Sequence, residues 1–280
     1  MRIVRPCLAA VAPALLGLVL AASPAGSQCS YPILTDDVPQ IFSASPTRAR
    51  FIQSVGRWAA VAVQSAGTAN WDVGISLSTA AFPTCVSVPV IASQQASGVD
   101  FVLGDFGAEG TGTRYAPILR ASGTGNASLE WDSGSRTALV NGGGYNGGGG
   151  AGMLVDCWSV DLVGGTSYRV RLSGDQPGDY TLHVFQRGPS NSWRQKSDAL
   201  VSYTSNLSFS PVLTAPATDR YAFVVVRETA TTWPYIFSIV TCVDPPHLNP
   251  HASLPIPVVQ GIFESAFQQS TSIPAPPPPL

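Results

Sequence analysis

Few side chains in this chain are suited to moving protons, attacking electrophiles or holding metal. The three histidines are His183, His247 and His251. His183 lies between Leu182 and Val184 in an alternating run. That places it on the polar, solvent-facing side of a strand, with no carboxylate in sequence to orient it as a base. His247 and His251 are four residues apart, a spacing that aligns two ligands on a helix, but Pro245, Pro246 and Pro250 argue against a helix. Two imidazoles without a third ligand also make a poor metal site. Asp36 and Asp37 stand beside Val38-Pro39 and read as a turn, and Glu130 alternates outward between Leu129 and Trp131. A glycosidase pair needs carboxyls roughly 5–10 Å apart across a cleft, which strand spacing does not reveal. Neither G-x-S-x-G nor H-E-x-x-H occurs. Gly142, Gly144 and Gly147 formally satisfy G-x-G-x-x-G, but no helix pattern follows them, so no nucleotide site is expected. The expectation is a protein that is not an enzyme and carries no metal or cofactor.

Aromatic rings are the better lead. Trp193 lies in the polar stretch GPSNSWRQKSD, and Trp233-Pro234-Tyr235 lies at a turn. Rigid rings on loops suit sugar rings or protein partners, so Trp193, Trp233 and Tyr235 are the candidate binding residues. Only 11% of the chain is charged and the formal net charge is -2. With no Lys/Arg run, neither nucleic acid nor an anionic membrane surface is an expected partner.

Strands must position these groups. From Cys157 to Phe185 the chain reads as three strands separated by two glycine turns, with Tyr168, Val170 and Leu172 alternating against Arg169 and Arg171. Tyr221 to Val226 is an apolar run that reads as buried on both faces. Trp58 to Ile75 aligns without gaps on Ser167 to Val184, so that Trp71 falls opposite Tyr180. The 27 glycines and 24 prolines favour turns, and no window has helical periodicity. The expected fold is all-β, two tandem antiparallel β-sandwich (jelly-roll-like) domains over residues 30–135 and 153–243. A glycine-rich linker would occupy 136–152 and a proline-rich tail 244–280.

The segment from about Trp158 to Thr241 resembles the bacterial pre-peptidase C-terminal domain. The features carrying the resemblance are Gly-Gly-Thr followed by Tyr-x-Val-x-Leu-Ser-Gly and a Gly-Asp turn into Tyr-Thr-Leu-His-Val-Phe. Thr214 to Tyr221 then leads into a Val-rich strand, and Tyr235-Ile236-Phe237-Ser238-Ile239 ends the domain. Residues 58–77 resemble it more weakly. The resemblance implies a β-sandwich with an accessory role beside secreted enzymes. The expected function is extracellular or cell-surface interaction with a polysaccharide or a protein. The alternatives are a secreted hydrolase with a loop-built site and a structural envelope component.

Residues 1–27 read as a signal peptide. Arg2 and Arg5 are followed by an apolar run from Leu8 to Ala22, too short for a bilayer span of about 20 residues, and then by Ala25-Gly26-Ser27. Its loss removes two arginines and no acid, taking the net charge from -2 to -4. Four cysteines would remain, Cys29, Cys85, Cys157 and Cys242, and four allow three pairings in an oxidising compartment. Cys157 and Cys242 bracket the second half, so the expected pairs are Cys157–Cys242 and Cys29–Cys85. Cleavage after Ser27 is checked by intact-mass analysis of the secreted chain. A mature protein beginning at Met1 would contradict it.

Overall fold

The structure, a computed structural model, describes residues 31–45, 47–53, 57–76, 98–107, 112–148, 153–190, 192–205, 212–229 and 234–242. In chain order the first half carries β1 (Gln40–Phe42), β2 (Thr47–Gln53), β3 (Trp58–Ser65), β4 (Asn70–Val73), β5 (Val99–Asp105), β6 (Gly112–Ser122) and β7 (Ala127–Asp132). Then come β8 (Arg136–Ala138), β9 (Tyr145–Gly147), β10 (Val155–Leu162), β11 (Ser167–Ser173), β12 (Tyr180–Phe185), β13 (Ser192–Gln195), β14 (Val201–Thr204), β15 (Leu213–Thr214), β16 (Asp219–Arg227) and β17 (Tyr235–Thr241). A 3-10 turn, Lys196–Asp198, separates β13 from β14. The fold is all-β.

The strands form four sheets, ordered β2-β6-β4, β1-β7-β3-β5-β13, β14-β12-β16-β10-β8 and β15-β11-β17-β9. Pairing is antiparallel except for β8, which runs parallel to β10. The apolar residues fall into three cores, each fixed by strand alternation. Ala59, Val61 and Val63 of β3 join Trp71, Ile118 and Leu129 between the first two sheets. Val160, Val170, Leu182, Phe223 and Phe237 fill the space between the last two. The third core lies between the two inner sheets. It takes the opposite face of β3 (Trp58, Ala60, Ala62) together with Phe101, Leu103, Cys157, Phe185, Ala222 and Val224. The inner strands are therefore buried on both faces, and β5 and β12 have no exposed residue.

This middle core changes what several residues do. His183 and Glu130, expected to face solvent, both have 0% exposure. Alternation correctly turns them away from their own sandwich cores, but that other side is the second inner sheet. The glycine-rich stretch is not a plain linker, because β8 and β9 add edge strands to the two sheets of the second half. Trp193 lies on β13, which pairs with β5 and so extends a sheet of the first half. Successive strands in the resembling segments also cross between sheets: β3 to β4 and β11 to β12 each span a core and do not form hairpins.

The expected Cys157–Cys242 bridge is absent, and both thiols are free. Cys157 is buried in the middle core, whereas Cys242 follows β17 in the outer sheet, where its amide bonds the Ser167 carbonyl at 2.8 Å. Bracketing the second half in sequence does not bring the two together, because they lie on opposite sides of it. Cys29, Cys85 and the tail lie outside the described residues.

Phe101 stacks edge-on to Phe185 at 5.1–6.1 Å from the rings it meets, His183 included, and has no exposed surface. Phe101→Ala is expected to cost about 3–5 kcal/mol in urea unfolding. A loss below about 1 kcal/mol would show that the inner sheets do not pack as described.

Candidate functional site

The cleft that gathers polar chemistry lies at one edge of the stack, where the turn before β1 meets the ends of β7, β8 and β9. Its construction starts at Asp36-Asp37. The Asp37 amide bonds the Trp131 carbonyl at 3.0 Å and the Ser133 amide bonds Asp36 Oδ1 at 2.8 Å, tying the turn to the end of β7. Asp132, the last residue of β7, accepts the Gly134 amide at 2.7 Å and the Cys157 amide at 2.9 Å. At Gly134 (φ 59) the chain turns under Trp58, where a Cβ would sit 2.8 Å from the Trp58 carbonyl oxygen. The next strand delivers Arg136.

Arg136 is the hub. Its Nη1 donates to Asp156 Oδ1 at 2.7 Å, its Nη2 donates to Asp37, and Asp132 lies 3.6 Å away. The guanidinium also lies 5.4 Å over the Trp158 ring. Burial opposes its charge, but the carboxylates of Asp156, Asp132 and Asp37 outweigh burial and hold it firmly protonated. Asp156 is set by a second layer. Its Oδ2 accepts the Tyr235 hydroxyl at 2.7 Å and the Gly148 amide at 2.9 Å, while Trp158 Nε1 donates to the same hydroxyl at 2.7 Å. The Gly147 backbone passes so close to Tyr235 that a Cβ would lie 2.1 Å from its hydroxyl, so only glycine fits there. Asp37, Val38, Arg136, Asn146, Met153 and Asp156 line the resulting cleft of about 460 Å³.

Burial raises the Asp36 carboxyl, partly offset by its bonds to Ser133. Asp132 is pushed well above the usual carboxylate range by burial first and then by the Asp156 and Asp37 charges. Carboxylate oxygens of Asp36, Asp37 and Asp132 lie within 4.8 Å of one another. Arg136 bonds Asp37 and lies 3.6 Å from Asp132, so positive charge beside this group is already supplied by the protein.

A Ser–His contact lies elsewhere. His183 Nδ1 is 2.7 Å from Ser202 Oγ across β12 and β14. Burial, aided by Lys196, pushes the imidazole down to about 3, and among the described residues Nε2 has no hydrogen-bond partner to orient it.

The residues expected to bind do not converge. Tyr235 has 0% exposure and works as the support for Asp156, so its expected place as a surface ring is corrected. Trp193 is 37% exposed on β13, at the far edge of its sheet from β1. Trp233 lies outside the described residues. Asp37 reads in sequence only as part of a turn, and Arg136 and Asp156 belong to no motif there. The available signal was Asp156 itself, an acid set in the apolar run Met153-Leu154-Val155-Asp156-Cys157-Trp158.

No family model matches the chain, and no curated protein matches it. Among solved structures, the periplasmic inhibitor of g-type lysozyme PliG from Aeromonas hydrophila has 14% identity, covering 38% of this chain and 97% of that one, with a TM-score of 0.27. A score that low carries no argument. No helix among the described residues is long and apolar enough to cross a membrane.

Removing Asp156 leaves Arg136 and Tyr235 without their shared acceptor. Asp156→Ala is expected to cost about 3 kcal/mol, and Tyr235→Phe about 1–2 kcal/mol, in chemical denaturation. Equal and negligible losses would mean that the network does not hold the cleft.

Proposed function

We propose that the chain is an exported binding protein without catalytic activity. Its partner, an extracellular polysaccharide or protein, would seat in the cleft at Arg136. The observation that supports this best is that the charged groups of the cleft floor are already committed to one another. Arg136 is shared among Asp37, Asp132 and Asp156, and Asp156 is also held by Tyr235 and Gly148. A general acid or base must gain or lose a proton in each turnover, and Asp37 and Asp156 are held as hydrogen-bond partners of a permanent cation. A rigid floor of this kind suits recognition, because little ordering is left to do when a ligand arrives.

The walls fit that use. Val38 and Met153 offer apolar edges, whereas Asn146 and the exposed Asp37 offer hydrogen-bonding groups. Sugar rings and peptide side chains present the same mixture of apolar faces and polar edges. The resemblance of the second half to a domain found beside secreted enzymes accords with an accessory role. Trp193, on the opposite edge of its sheet, would serve a separate contact.

The test is a glycan array and a pulldown from secreted proteins, followed by calorimetric titration of the best binder. Val38→Ser and Asn146→Ala alter the walls without adding a charge beside the ion pairs. Each is expected to weaken binding at least tenfold, about 1.4 kcal/mol, with unchanged melting temperature. Undiminished binding by both folded variants would move the site away from the cleft. Hydrolysis of glycosides or peptides by the purified chain would overturn the non-catalytic reading.

A further inference from the structure

Glu130 takes no part in the cleft lining, yet it is a carboxyl group with no exposed surface between two sheets. It stands on β7 opposite Ala62 of β3, which brings no charge. Its Oε2 accepts the Leu154 amide at the entry to β10, and among the described residues its Oε1 has no hydrogen-bond partner. Several titratable groups surround this end of the interface. Asp132 follows on the same strand, Asp156 and Cys157 come from β10, Asp37 from the turn before β1, Arg136 from β8 and Arg227 from β16. Both arginines are engaged, Arg136 by three carboxylates and Arg227 by the Gln64 side chain at 3.1 Å. An ionised Glu130 would therefore face more acids than bases, in a space otherwise filled by Ala62, Leu154, Val155 and Cys157.

We propose that Glu130 is a proton latch on the interface between the inner sheets: protonated, it allows β7 and β10 to close on one another, and ionised, it drives that end of the interface open to water. The geometry requires this direction, because an unpaired buried carboxylate costs far more than an unpaired buried carboxylic acid. Burial pushes its carboxyl up to about 8, with the Leu154 amide opposing and Asp156 and Asp37 reinforcing the rise.

The pH dependence follows from the proton count. In the opened state the group returns toward its ordinary value of 4.5. Between that value and about 8 the closed state holds a proton that the opened state has released. Closure is thus strongest below the ordinary value and weakens as pH rises, by up to about tenfold per pH unit, until the closed-state carboxyl also ionises. His183, also in this interface, acts in the opposite direction. Its ordinary value is 6.5, and above that pH it is neutral in both states and adds no slope.

Cys157 reports the opening, because its thiol is fully buried in this interface and its amide bonds Asp132. Alkylation of Cys157 would be followed by site-resolved mass spectrometry between pH 6.5 and 8, with each rate divided by that of the unfolded chain at the same pH. The normalised wild-type rate is expected to climb about tenfold per unit more steeply than that of Glu130→Gln. Parallel profiles for the two proteins would overturn the latch. If Glu130→Gln does not fold, hydrogen exchange of the wild type decides. The Leu154 and Cys157 amides should lose protection over this range, corrected for intrinsic exchange, while β11 and β17 keep theirs. Constant protection at Leu154 and Cys157 would equally overturn it.

Discussion

The dry contact between the two inner sheets is the constraint on which the rest of the molecule depends. Each outer sheet needs an inner one to bury its apolar face, and each inner sheet then carries a second apolar face that must also be covered. Trp58, Phe101, Leu103, Phe185 and Val224 have no exposed surface only because the two inner sheets cover each other. A fully buried side chain of this size contributes about 1.5–3 kcal/mol, so exposing several at once would exceed the margin by which most domains are stable. The chain reinforces the contact by exchange of strands, since β13 from the second half completes a sheet of the first.

Polar groups sit where that contact ends, and they are matched mainly to backbone. Asp105, fully buried, pairs with Arg57 at 2.7 Å and accepts the Gly188 amide at 3.0 Å, joining the two halves at one end. On the other side of β3, Asp132 and Glu130 accept the Cys157 and Leu154 amides. A carboxyl group that accepts an amide across two sheets ties their spacing together. The cleft is a by-product of the same arrangement. Where the inner sheets part, Arg136 bridges Asp37 and Asp132 from one half and Asp156 from the other, leaving a concave surface with a rigid floor.

Alternation made the strands legible, and it also set the limit of what was legible. The run from Tyr221 to Val226 reads as buried on both faces, and that part of β16 is so. Tyr168, Val170 and Leu172 read as one face of a strand, and all three lie in one core. The period of two says which residues share a face, but not whether the other face meets water or a second sheet. Glu130 and His183 were therefore placed on the correct face and in the wrong medium. The cleft was hidden for a related reason. Asp37, Arg136 and Asp156 belong to three elements, and only the stacking of the sheets brings them within hydrogen-bond distance. Glycine content misled in its own way. Gly147 reads as linker composition, whereas its missing Cβ is what lets β9 pass beside Tyr235.

If the inner contact governs the fold, the two halves cannot melt separately. Differential scanning calorimetry of the purified chain at pH 6, where His183 and Glu130 are both uncharged in the folded state, tests this directly. One transition is expected, its calorimetric enthalpy equal to the van't Hoff enthalpy, as for a single cooperative unit. Two resolved transitions, or a calorimetric enthalpy near twice the van't Hoff value, would show two independent sandwiches and contradict it.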